Sequence, residues 1–506
     1  MPESRRGEWE RLVLEASAEH SRGCLGAAVA AYRQLIALRP DVPEVYFHHG
    51  NALYQQSHWD EAAQAYRQAV GLRPAYAAAW ANLGAALAAA EDWAEAAAAC
   101  RRALDAGISP AEARDTLGLA LAHVSRDLTE AGRWGEAEAA AREAVAWRPD
   151  DADGYYCLGG ALLRAGRLDE AEAELRRAVA LAPDRPEIHV TLAMLLLLAE
   201  RYEDGWPEYE WHLPDKDCDA SAMLPPRWHG EDLGGRALVI RGEQGIGDEL
   251  VYFSVIDELA ARGIRCFASC EPRLLPLLRR SVPNAVLFER GGAFPPGADG
   301  IEVGARLPAA ALLQLKAPSA RRIDPIRPYL RVDSEIAARL RHAYSEAGRP
   351  VVGLSWWSAN PDRRRASFAA LKDWLPILRV PGLRFVSLQY GDHREEIAAL
   401  RRETGLDVLV DDSIDATGDL DGFAAQVAAM DMVVTIDNST ALFAACLGRP
   451  ALALVDSVPD FRMGRTGDRS PWYPGLRVFR QERPGDWAPV VAGAAEALCQ
   501  WKDNPP

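Results

Sequence analysis

Along the first two hundred residues, apolar positions recur at a fixed interval. Trp59, Trp93, Trp134 and Leu168 each stand two places before a glutamate and three before an alanine, as in Trp59-Asp60-Glu61-Ala62. The acidic positions Glu61, Glu95, Glu136, Glu170 and Asp204 follow at steps of 34, 41, 34 and 34 residues. Gly50, Gly84, Gly118 and Gly159 keep steps of 34, 34 and 41, and Pro40, Pro74, Pro149 and Pro183 close the units. Each unit reads as a helix pair whose apolar face cannot be buried alone, so neighbours stack into a solenoid with a concave groove. The 41-residue step predicts an insertion near His123–Glu130 of about two helical turns.

Beyond residue 232 the pattern changes. Short apolar runs at Ala237–Arg241, Cys266–Cys270 and Ala285–Phe288 alternate with helical patterns at Glu249–Arg262 and Arg273–Arg280. After the helical stretch Ser334–Ala347, a second set follows at Val351–Trp356, Phe385–Gln389, Met432–Ile436 and Ala451–Val455. Short buried strands alternating with helices predict parallel sheets covered on both faces. The two sets, residues 232–330 and 350–500, predict two Rossmann-like halves with a cleft between them. Between solenoid and sheets, residues 206–231 carry Trp206, Pro207, Trp211, Pro214, Pro225, Pro226 and Trp228 and read as a packed junction. Gly205–Trp211 is expected to cap the solenoid.

The 34-residue period, with small residues at helix crossings and closing prolines, resembles the tetratricopeptide repeat. Five to six units fit residues 8–205, the first and last as degenerate caps. The plainer alternative is an alanine-rich helical bundle without strict repeats.

Composition narrows the function. Asp+Glu 73 against Lys+Arg 57 gives a net charge of −16, which argues against a bulk grip on nucleic acid. The apolar stretches Val190–Ala199 and Ala441–Leu447 fall short of the ~20 residues that span a bilayer. The mixed, charged N-terminus has no apolar core of a secretory signal. Eight cysteines without a CxxC pair fit a reduced, cytoplasmic setting.

In open parallel sheets, ligands bind outside the carboxyl ends of the strands, which selects four loops. After Ala237–Arg241 comes Gly242-Glu243-Gln244-Gly245-Ile246-Gly247-Asp248-Glu249, where Gly245 and Gly247 allow close backbone approach. Asp248 there reads equally as a helix cap or as a base that takes a proton from an acceptor hydroxyl. After Val351–Trp356, Ser358 and the run Arg363, Arg364, Arg365 can bind a diphosphate through bidentate guanidinium contacts, or stand as a solvated run. Gln389, Tyr390 and Gly391 follow the third strand as a nucleobase contact or an ordinary turn. After Met432–Ile436, Asp437, Asn438, Ser439 and Thr440 open a small-residue helix whose free N–H groups suit phosphate, with Ser439 or Thr440 as its cap. No GxxxxGK[ST], HExxH, GxSxG or Cys/His metal spacing occurs. No metal is therefore expected. Cys266 and Cys270 read as core residues on one strand face.

Together, Gly242–Tyr252, Val351–Trp357, Phe385–Asp392, Asp419–Ile436 and Ser470–Gln481 resemble bacterial tetratricopeptide-repeat glycosyltransferases. The catalytic part of that group is similar to the heptosyltransferases, glycosyltransferase family 9. The resemblance implies a GT-B fold and a metal-independent, inverting transfer of sugar from a nucleotide-sugar to a hydroxyl. It puts the acceptor on the first half and the donor on the second. Asp248 falls on the family's general-base position and Asp437 on the acidic position of its donor turn, where Asn438 and Ser439 replace Thr and Gly. Trp357 stands where related sequences often carry arginine.

The reading that results is an α-solenoid followed by an α/β GT-B unit. It is a glycosyltransferase with a nucleotide-sugar as co-substrate and no other cofactor. A protein acceptor, flagellin being one candidate, lies in the repeat groove. The alternatives are an inactive protein-binding scaffold, or a heptosyltransferase-like enzyme acting on an envelope saccharide.

Overall fold

The computed structural model describes residues 3–212, 226–243, 245–292, 302–317, 323–345, 348–358 and 370–503. The chain divides into two units, Met1–Ile188 and His189–Pro506.

The first unit is all helical. Its pairs are Glu3–Ser21 with Leu25–Leu38, Pro43–Gln55 with Trp59–Leu72, Ala77–Ala89 with Trp93–Asp105, Pro110–Glu130 with Trp134–Trp147, and Ala152–Arg164 with Leu168–Leu181. Helix starts follow local chemistry. Pro43 and Pro110 occupy the first turn, where the missing N–H costs nothing, and Ser109 forms a reciprocal capping box with Glu112. The repeated glycines have a steric cause. A Cβ on Gly50 would lie 2.6 Å from the Tyr66 ring, on Gly84 2.6 Å from Cys100 Sγ, and on Gly159 2.6 Å from Leu175 Cγ.

The repeated glutamates link neighbouring pairs. Arg33 meets Glu61 at 3.1 Å and Arg67 meets Glu95 at 2.5 Å. These ion pairs are exposed and set register more than stability, at ~0–1 kcal/mol each. The expected insertion lengthens one helix, Pro110–Glu130, to 21 residues against 13 for Ala77–Ala89. The 28-residue spacing of these pairs is not kept across the longer helix: Arg101 pairs with Glu143, 42 residues on, while Glu136 pairs with Arg133.

The second unit holds two all-parallel sheets. In the first, β1 (Ala237–Arg241), β2 (Cys266–Cys270), β3 (Ala285–Glu289) and β4 (Val303–Pro308) run in the order β3-β2-β1-β4. In the second, β5 (Val351–Ser355), β6 (Arg384–Ser387), β7 (Met432–Ile436), β8 (Ala451–Val455) and β9 (Leu476–Arg480) run in the order β6-β5-β7-β8-β9. Every residue of β2, β5, β7 and β8 is buried, as sheets covered on both faces require. Cys266 and Cys270 lie in this core.

Two strands, β4 and β9, had no counterpart in the sequence pattern. Each is an edge strand with a mixed burial pattern, so neither shows the continuous apolar run of a central strand. The single helix expected over Glu249–Arg262 begins earlier and is broken into Ile246–Phe253 and Ile256–Ala261. At the break, Ser254 Oγ donates to the Val251 carbonyl at 2.6 Å.

The segment joining the sheets is anchored to both. Ile326 N–H donates to the Trp472 carbonyl, Tyr329 and Leu330 N–H to that of Cys446, and Tyr329 Oη to that of Leu250. Helix Tyr202–Tyr209, where a solenoid cap was expected, turns its aromatic face to loops of this unit. Trp206 packs against Phe461 and Trp472, and its Nε1 donates to the Ala317 carbonyl at 2.7 Å. Among the described residues no helix is long and apolar enough to cross a membrane.

Candidate functional site

Four strands, β1, β5, β6 and β7, each deliver a loop to the same cavity. Past β1, a Cβ on Gly242 would lie 2.2 Å from the Ser269 carbonyl, so the loop passes β2 only without a side chain. Gly245 then caps helix Ile246–Phe253, and its N–H donates to Asp248 Oδ2 at 3.4 Å. Gly247 permits another close approach, because a Cβ there would lie 2.7 Å from Leu442 Cδ1 on helix Ser439–Cys446 of the second sheet.

Asp248 and Glu249 take opposite fates. Successive helix residues are about 100° apart, so when one faces the cleft the next faces the sheet. Glu249 is fully buried, with Oε2 accepting the Glu271 N–H at 2.7 Å and Arg290 at 3.6 Å from Oε1. Burial pushes its carboxyl up to about 7, against the opposing pull of the Glu271 N–H and Arg290. Asp248 instead lines a cavity of about 440 Å³.

That cavity gathers most of the candidate residues. Gly245, Gly247, Asp248, Ser358, Tyr390, Asp437, Asn438, Ser439 and Thr440 all line it. Gln389 and Gly391 line an adjoining cavity of about 300 Å³, which shares Tyr390, Ala416 and Thr417 with the first. Arg363, Arg364 and Arg365 lie outside the described residues.

Within this set the side chains divide by task. Asn438, and neither Ser439 nor Thr440, caps helix Ser439–Cys446. Its Oδ1 accepts from Thr440 N–H and Thr435 Oγ1 at 3.0 Å, while its Nδ2 donates to Ser355 Oγ at 2.9 Å. The Asn438 amide thus ties the end of β5 to the end of β7. Gln389 does the same for β5 and β6. Its Oε1 accepts the N–H groups of Trp356 and Trp357 at 2.8 Å, and its Nε2 donates to the Trp357 and Tyr390 carbonyls. Both amides shape the floor and are saturated by protein. Asp437 Oδ2 accepts the Asp460 N–H at 3.3 Å, and Tyr390 Oη donates to Ser358 Oγ at 3.3 Å. Ser439 is left facing the cavity from the helix start.

One residue at the centre escaped the sequence reading. Arg462, 6% exposed, grips Asp460 with Nε at 2.7 Å and Nη2 at 2.9 Å, and extends Nη1 to Asp248 Oδ1 at 2.9 Å. Burial works against its charge, but Asp460 and Asp248 outweigh that cost and hold the guanidinium above its ordinary value. Two more arginines cross between the sheets. Arg273 Nη1 donates to the Thr417 carbonyl at 2.8 Å, and Arg280 pairs with Asp421. The local signal for Arg462 was slight, an Arg two places after an Asp in an irregular segment. Among the described residues no cluster of three His, Cys, Asp or Glu side chains could hold a metal.

Models of the tetratricopeptide repeat match residues 16–57, 47–113, 128–195 and 162–205. The N-terminal unit is therefore a tetratricopeptide-repeat solenoid, a fold whose members bind peptides or protein partners. The chain is 33% identical over 316 residues to Protein FlbA of Caulobacter vibrioides, matching 59% of this chain and 52% of that protein. It thus spans about half the length of that curated relative. Among solved structures, the repeat protein YrrB, described as having an unusual peptide-binding site, is 20% identical over 36% of this chain and 91% of its own, with a TM-score of 0.29. The TPR2AB domain of yeast Sti1, solved with pHSP90, is 16% identical over 40% and 89%, with a TM-score of 0.21.

Proposed function

We propose that this chain is a GT-B glycosyltransferase that moves a sugar from a nucleotide-sugar to a hydroxyl of a protein held by the repeat solenoid. The observation that carries the reading is the cavity in which Asp248, from the first sheet, faces the start of helix Ser439–Cys446 from the second. A carboxylate and a helix N-terminus across one cavity supply a proton acceptor and an anion site. In this reading the acceptor hydroxyl gives its proton to Asp248 as its oxygen bonds to the anomeric carbon. The bond from that carbon to the phosphate oxygen breaks, and the nucleotide leaves with the electron pair. Attack opposite the leaving group inverts the anomeric centre.

The phosphates lie by Ser439 at the helix start and by Ser358. The nucleoside extends past Tyr390 into the adjoining cavity. Arg462 holds the Asp248 carboxylate in place. The test is nucleotide release from UDP-, GDP-, ADP- and CMP-sugars, with whole-cell protein and purified flagellin as acceptors. Turnover of one donor that falls about 10²–10⁴-fold in Asp248→Asn supports the reading. Release that is equally slow for wild type and variant with every donor overturns it.

The ion pair itself favours a second reading. Arg462 occupies Asp248 Oδ1, as it would in a protein-binding scaffold without transfer chemistry. Calorimetry separates the two, because a scaffold takes up no nucleotide.

A further inference from the structure

The cavity of about 300 Å³ that adjoins the candidate site at Tyr390 has polar groups of a single character. Asp392, Asp411, Asp412 and Asp415 line it together with one arginine, Arg394, which is turned onto Asp412 and Asp392. That balance of charge repels phosphate, so a nucleotide can enter only by its other end. Two of the aspartates spend one oxygen each on their own loop. Asp411 Oδ1 accepts the Ser413 N–H, and Asp415 Oδ1 accepts the N–H groups of Thr417 and Gly418, all at 2.9 Å.

Gln426, on helix Leu420–Ala428, also lines this cavity and is only 3% exposed. A chain of hydrogen bonds fixes which end of its amide is spent. Burial opposes the charge of Asp411, but the Ser413 and Tyr344 hydroxyls hold its carboxyl below the ordinary range, so it is an ionised acceptor. Tyr344 Oη must then donate to Asp411 Oδ2, and burial together with that carboxylate keeps the phenol protonated. With its hydrogen committed, Tyr344 Oη accepts, and Gln426 Nε2 donates to it at 3.2 Å. No described residue donates to Gln426 Oε1. That oxygen is what the buried amide presents to the cavity.

The other unspent groups are of the same kind. The Thr417 hydroxyl and the Gly418 and Thr417 N–H groups hold the Asp415 carboxyl down to about 2, and its Oδ2 stays an acceptor. His393 Nδ1 faces Glu396 Oε2, which also accepts from Trp356 Nε1. This assigns the ring hydrogen to Nδ1, and the neutral imidazole offers Nε2 as an acceptor. A site made of acceptors recognises donors. We propose that the cavity takes a nucleobase with an exocyclic amino group (cytosine, adenine or guanine) and rejects its deaminated counterpart, Gln426 Oε1 accepting the amino N–H. The inference rests on the transferase reading above, which places the nucleoside here. A carbonyl of uracil, hypoxanthine or xanthine at the same point would set oxygen against oxygen. Tyr390, tilted against Trp357 at 5.7 Å, offers an aromatic wall to the face of the base.

The test titrates the full-length chain calorimetrically with matched nucleotides that differ only by amine against carbonyl. The pairs are CMP and UMP, AMP and IMP, and GMP and XMP, with the corresponding diphosphates. In the pair that binds best, the amino member is expected to bind about ten- to a hundredfold tighter. Gln426→Leu, close in volume, should remove that preference by weakening the amino member alone. Tyr344→Phe deletes the hydroxyl that orients the amide and lets Nε2 turn to a carbonyl, so it should narrow the preference severalfold. This second variant keeps the test open if Gln426→Leu does not fold.

Equal or tighter binding of the deaminated member overturns the proposal. So does a loss in Gln426→Leu shared equally by both members, which is what a merely structural side chain would give. A preference for uridine nucleotides, with turnover of a UDP-sugar, overturns this inference and leaves the transferase reading standing. Binding of no nucleotide at all overturns both, so the two failures are distinguishable.

Discussion

Asp248, Arg462 and Asp460 form one unit of charge. Arg462→Met would leave Asp460, whose side chain is 7% exposed, without its counter-charge. The expected loss is about 3–5 kcal/mol in urea unfolding, with little recovery in Arg462→Lys, whose ammonium cannot reproduce a fork. A variant as stable as wild type would show that the pair is ornamental. Glu249 makes a separate pH prediction. Its folded pKa of about 7 lies above the ordinary 4.5, so burial of the neutral acid favours the fold most below pH 4.5. That contribution, about 3 kcal/mol, is lost as pH rises toward 7 and is absent above it. Measured from pH 4.5 to 8, wild type should lose that much stability relative to Glu249→Gln. Parallel curves would remove Glu249 as the cause.

At the scale of elements, steric fit explains Gly50, Gly84, Gly159, Gly242 and Gly247. Gly247→Ala should cost about 1–3 kcal/mol by forcing a methyl into Leu442, and Leu442→Val should recover part of it. Additive losses in the double variant would mean that helices Ile246–Phe253 and Ser439–Cys446 do not meet there. The same scale shows what pattern reading can find. Central strands such as Met432–Ile436 are continuous apolar runs and were legible. Edge strands Val303–Pro308 and Leu476–Arg480 mix polar and apolar residues and were not. Helix caps were half legible. The Asp-Asn-Ser-Thr run marks a helix start, but which side chain caps it depends on Ser355 and Thr435 nearby, and Asn438 is the one that reaches both.

For the whole molecule, the two units should unfold separately. Calorimetry of the full chain is expected to show two transitions, of which the nucleotide of the proposed function raises only one, by about 2.7 kcal/mol at a hundredfold excess over Kd. A single transition that shifts as a whole would make the units one cooperative body. The sequence by itself determined the repeat architecture, the alternation of strands and helices, and the loops at the strand ends. Each of these follows from periodic burial and local steric demand, which leave a mark within one or two turns of chain. Only the tertiary structure decided which members of those loops face the cavity. Arg462 reaches Asp248 across 214 positions, Asn438 and Gln389 spend their amides on neighbouring strands, and Asn51 meets Asn82 across a helix pair. Hydrogen bonds and ion pairs depend on distances of a few ångströms in space, and residue spacing along a chain does not encode them.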